Sequence, residues 1–111
     1  MDALKTWEHT GMTCVLRHGF LDIPCGYVIL PEGHPLHGVK YEDMDEWPDV
    51  HGGVTWTGEL IGCSELGWLI GFDMGHFGDF GDNPCRCVRT DEECVAETNR
   101  LSEQMADWGE R

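Results

Sequence analysis

The chain has 111 residues, with 7 Lys and Arg against 21 Asp and Glu and a formal charge of −14 at pH 7. That is one domain's worth of polypeptide, and its charge opposes both a nucleic-acid backbone, which must be met by basic groups that displace counterions, and an anionic membrane surface. With 41% hydrophobic residues and five tryptophans it can build a core unaided, which excludes a wholly disordered chain.

In chain order, the first regular element expected is a strand over Met12–His18, followed by one over residues 26–30, both rich in β-branched and aliphatic residues and bounded by Gly or Pro. Residues 31–50 then form a long connection carrying Pro31, Pro35 and Pro48 and the acidic run Glu42-Asp43-Met44-Asp45-Glu46. A third strand is expected over 54–60, where Val54, Trp56 and Leu60 alternate with Thr55, Thr57 and Glu59 to give one buried and one wet face. The fourth, Trp68–Asp73, reads as more fully buried, and the short stretch between the two is expected to return the chain antiparallel. Residues 75–83, with Gly75, Gly78 and Gly81, form a second long loop.

The last element is a helix over Asp91–Trp108. Cys94, Val95, Thr98, Leu101, Met105 and Trp108 recur at the three- and four-residue steps of one helical face. Thr90 and Glu93 supply a capping box, the acids of the first turn suit the positive end of the helix dipole, and Gly109 offers a left-handed stop. The expected fold is therefore a single α+β domain over residues 1–111, a small, mainly antiparallel sheet with one long C-terminal helix packed on it.

The start Met1-Asp2-Ala3-Leu4-Lys5 lacks the basic and then apolar run of a secretory signal, and no apolar stretch reaches membrane-spanning length. A cytoplasmic setting with reduced thiols is expected, and Cys14, Cys25 and Cys94 read as buried packing residues. Cys85-Arg86-Cys87 lacks the spacing of a structural zinc pair.

The residues with chemistry cluster beside glycine. His34 lies in Gly33-His34-Pro35, His51 opens His51-Gly52-Gly53, and His76 follows Asp73-Met74-Gly75 and precedes Gly78-Asp79. Glycine lets a ligand approach the backbone, and histidine supplies a donor, an acceptor or a metal ligand. A hairpin between the third and fourth strands is expected to bring His51, Asp73 and His76 to one sheet edge, with Asp73 orienting an imidazole. The candidate ligand-binding set is His34, His51, Gly52, Gly53, Trp56, Asp73, His76 and Asp79.

Cys25-Gly26-Tyr27-Val28, Pro31-Glu32-Gly33-His34-Pro35, His51-Gly52-Gly53-Val54-Thr55-Trp56 and Trp68-Leu69-Ile70-Gly71-Phe72-Asp73 with Gly75-His76 and Gly78-Asp79 resemble the motifs of a widespread family of small bacteriophage proteins. The segment from Glu93 through Gln104 is similar to that family's closing helix, and Met74-Gly75 stands where a Cys-Ala pair is typical. The resemblance implies a phage origin and a host-cytoplasmic setting.

The function expected is an anti-defence accessory protein that sequesters a small nucleotide-derived immune signal, using Trp and Tyr to stack a base and glycine loops to meet phosphate. It needs no cofactor, and self-association is compatible with it. Two alternatives stand beside it. One is a hydrolase in which His34, His51, Asp73, His76 and Asp79 hold a divalent metal. The other is an acidic inhibitor of a host nuclease or CRISPR effector.

Overall fold

The computed structural model describes residues 5–59, 67–75 and 89–108. Five strands, β1 (Lys5–His9), β2 (Met12–His18), β3 (Pro24–Leu30), β4 (Trp56–Gly58) and β5 (Trp68–Asp73), form one sheet in the order β1-β2-β3-β5-β4. All its pairings are antiparallel. The helix α1 (Asp91–Trp108) lies across one face, against β1, β2 and β3. This is the expected α+β architecture, and no helix among the described residues is long and apolar enough to cross a membrane.

The sheet register sorts the side chains. Cys14 pairs Val28 and Val28 pairs Ile70, so these residues, with Leu16, Leu30 and Phe72, share the face under α1. There they meet Cys94, Leu101 and Met105 of the helix in one buried cluster. Val15, Cys25, Tyr27 and Leu69 point to the other face and form a second buried cluster. A central strand buried on both faces reads as a nearly continuous apolar run, as β3 and β5 do.

The helix begins as expected. The Glu93 N–H donates to Thr90 Oγ1 at 3.1 Å while Glu93 Oε1 accepts from the Thr90 N–H at 3.3 Å. Thr98 and Ser102 are buried with the apolar stripe. Thr98 donates to the Cys94 carbonyl at 2.7 Å, and Ser102 bonds Thr10 Oγ1 and the His9 carbonyl. Polar ties along α1 fix its position: Trp7 Nε1 donates to Asn99, His9 contacts Glu103 at 2.7 Å, and His18 contacts Asp91 at 2.7 Å.

Three expectations are corrected. β3 starts two residues earlier than expected, at Pro24, a residue tolerated at a strand's first position because its missing N–H costs no ladder bond there. The 54–60 strand contracts to Trp56–Gly58 among the described residues, and Trp56 does not join Val54 in the interior. Val54 precedes the strand and turns into the cluster beneath α1, whereas Trp56 pairs Gly71 on the opposite face and remains 39% exposed. Finally, β1 is an additional strand. Its five residues, Lys5-Thr6-Trp7-Glu8-His9, are mostly polar, but a turn with positive φ at Thr10 and Gly11 returns it onto β2, the backbone twist that two-residue hairpins favour. Leu60 and Gly109 lie outside the described residues.

Candidate functional site

The loop that carries His51 is built on the helix. Arg100 donates to the Asp49 carbonyl at 2.6 Å, Gln104 Nε2 donates to the same carbonyl at 2.8 Å, and the Asp49 N–H donates to Gln104 Oε1 at 2.7 Å. Two residues on, the His51 N–H donates to Glu97 Oε2 at 2.7 Å. Arg100 also pairs with Glu97 at 3.0 Å, so the carboxylate that receives His51 is itself held in place. The chain then turns at Val50–Gly53, closed by the Gly53 N–H on the Val50 carbonyl at 2.9 Å, with φ of +69° at Gly52 and +84° at Gly53. Positive φ at the third position of such a turn is the reason for glycine there. The direction in which a Gly53 side chain would project is open space.

Asp73 ends β5 beside this turn. Its Oδ2 accepts from Thr55 Oγ1 at 3.0 Å and its Oδ1 accepts from the Gly75 N–H at 2.9 Å. The Thr55 N–H donates to the Gly71 carbonyl at 3.0 Å, extending the β4–β5 pairing by one residue. Asp73 therefore fastens the start of β4 and the exit of β5 to each other, which places the His51-Gly52-Gly53 turn and the β5 exit at the same end of the sheet. His76 and Asp79 lie outside the described residues.

His34 is committed to the fold. It is buried, its Nε2 bonds the Met105 carbonyl at 2.7 Å, and its Nδ1 accepts from the Leu36 N–H at 3.0 Å. Those contacts fix the neutral tautomer with the proton on Nε2 and leave neither nitrogen for a ligand. The sequence placed this residue with the ligand-binding histidines because Gly33 and Pro35 mark a loop. The loop instead seats its histidine on the last turns of α1.

A set of residues that the sequence reading did not connect lies on the sheet face away from α1. Arg17 pairs Cys25 and Cys25 pairs Asp73, so a guanidinium, a thiol and a carboxylate stand side by side across three strands. In the next row Val15, Tyr27, Gly71 and Trp56 are successive neighbours. Tyr27 leans over Gly71, where a side chain would meet its Cε1 at 2.8 Å. Burial, and then the Asp73 charge, push the Cys25 thiol up, while Arg17 opposes them. Burial also raises the Tyr27 hydroxyl, with the neighbouring Cys25 adding to it. Both groups are therefore protonated donors at neutral pH, not nucleophilic anions. Cys25 was expected to be a buried packing residue, but only the register brings Arg17 and Asp73 to either side of it.

The site as described thus combines an exposed indole at the sheet edge, a turn completed by Gly52 and Gly53, and a polar row anchored by Asp73. Among the described residues no group of three or more His, Cys, Asp or Glu is arranged to hold a metal ion. No family model matches the chain, and no curated protein or solved structure matches it significantly.

Proposed function

We propose that the protein is a bacteriophage accessory factor that counters host defence in the host cytoplasm by binding and sequestering a small nucleotide-derived signal at the β4 edge of its sheet. The observation that carries this reading is Trp56, an indole left 39% exposed on an edge strand, a few residues from a turn whose Gly53 opens onto free space. An exposed indole offers a stacking face to a planar base, and a glycine turn lets a polar ligand come close to the backbone. Arg17, on the same sheet face as Trp56, supplies a positive group where the net charge of −14 would otherwise repel a phosphate. In this arrangement Asp73 positions the site by holding Thr55 and Gly75, and the backbone bond from His51 to Glu97 sets the turn on the helix.

Native mass spectrometry of protein purified from phage-infected cells tests the reading. The expected result is a retained nucleotide-sized mass in the wild type that is lost in Trp56→Ala and His51→Ala, with the stability of each variant changed by less than about 1 kcal/mol because neither residue belongs to the buried core clusters. Wild-type protein that carries no such mass, or variants that retain it fully, would refute the site.

A further inference from the structure

We propose that the cavity at the C-terminal end of α1 is a docking site for a basic segment of a protein partner, anchored by a lysine or arginine side chain. The cavity encloses about 450 Å³ between the helix end and the loop that follows β3. It is lined by the half-buried apolar residues Leu36, Val39, Met44 and Trp108 and by Asp43, Asp45 and Glu46, whose exposure puts them at its rim. Among the described residues that line it none is basic.

This combination matches one kind of side chain. Lysine and arginine lay an aliphatic stem along apolar surface and keep a charged head in a polar setting, and an indole attracts a cation to its face. The helix adds its own contribution. Trp108 is the last residue of α1, and the last turn contains no basic residue, so the negative end of the helix dipole is not offset there by a cation of the same turn.

The size and shape favour a protein segment over a bare ion. The rim acids are not gathered into a metal-binding group, and a wall of aliphatic and indole carbon provides no metal ligands. Trp47, 55% exposed and edge-on to Tyr41 with centroids 6.4 Å apart, follows the same acidic run in the chain. The overall charge of −14 would draw a basic partner from a distance and raise its association rate.

The test is fluorescence anisotropy of a labelled oligo-arginine peptide, with a Gly/Ser peptide of equal length as reference, titrated with the full chain at about 0.15 M salt, where diffuse surface attraction is largely screened. Two variants remove equal charge: Asp43→Asn/Asp45→Asn/Glu46→Gln at the rim, and Glu8→Gln/Glu59→Gln/Glu92→Gln on exposed surface elsewhere. The expected result is binding of the basic peptide alone, weakened about tenfold or more by the rim substitutions and by less than about twofold by the others. Should the triple rim variant fold poorly, Asp45→Asn alone is expected to weaken binding by about threefold. Equal weakening by both charge-matched variants would overturn the proposal in favour of diffuse attraction, as would the absence of binding at this salt concentration. Agmatine competing as effectively, mole for mole, as the unlabelled peptide would overturn it in favour of a small-cation pocket.

Discussion

Gly26→Ala is the most severe single-atom test of how α1 sits on the sheet. Gly26 lies in β3 on the face beneath the helix, between Leu16 and Phe72. A methyl group built there would fall on the Thr98 hydroxyl and would lie 2.9 Å from both Cε1 and Cζ of Phe72. The backbone of Gly26 is outside the left-handed region, so the cost is one of contact alone. Turning Thr98 about χ1 would clear its hydroxyl from this space only by breaking a buried hydrogen bond and moving its methyl group into the surrounding packing. Thr98 is fully buried and bonded to the Cys94 carbonyl. The helix must lift or the Phe72 ring must move, and overfilling of this kind costs about 1–3 kcal/mol. Two rigid obstacles place the expected loss near about 3 kcal/mol, or about 12 °C in Tm for a domain of this size. Urea titration followed by circular dichroism measures it. Adding Thr98→Ala to Gly26→Ala clears one obstacle and is expected to recover about 1 kcal/mol relative to the sum of the single losses. A loss below about 0.5 kcal/mol for Gly26→Ala, or strict additivity in the double variant, would show that Thr98 does not rest on Gly26.

Leu101, fully buried in the cluster between helix and sheet, is expected to cost about 2–5 kcal/mol when cut to alanine, and a loss below about 1 kcal/mol in the same titration would mean that the stripe is only lightly packed. Alkaline pH is expected to weaken the fold. Burial pushes the Cys94 thiol up to about 12 from an ordinary value of 9.0, and Cys14 and Cys25 shift in the same direction, chiefly through burial. A thiol whose pKa is raised by folding contributes stability that is intact below the unfolded value and is lost as pH climbs toward the folded one. Urea midpoints should therefore be flat from pH 7 to about 8.5 and fall above about 9, with a shallower fall in Cys94→Ala; an identical slope in that variant would refute the assignment.

The strands Met12–His18 and Trp68–Asp73 and the helix Asp91–Trp108 were legible with their boundaries. Each carries its own local signal: β-branched runs between breakers, or an apolar stripe at helical spacing opened by Thr90 and Glu93. β1 was not legible because Lys5-Thr6-Trp7-Glu8-His9 has little apolar content. Its stability comes from pairing with β2 and from Trp7 and His9 reaching Asn99 and Glu103, more than ninety positions away.

Among the candidate site residues the same division holds. Which residues are able to form turns or hydrogen-bond a ligand is a property of residue type, and it singled out His51-Gly52-Gly53 and Asp73. Whether a histidine is available depends on what surrounds it: His34 stands in a glycine-bearing turn as His51 does, yet its imidazole is consumed by Met105 and Leu36. Trp56 shows the point within one strand, since alternation assigned it to the interior and the short β4 edge left it half open. Local pattern determined the elements of this protein, because propensity, caps and turns act over a few residues. Register and helix placement decided which side chains meet, because the juxtaposition of Arg17, Cys25 and Asp73, or of Gly26 and Thr98, is created only by pairings between distant segments.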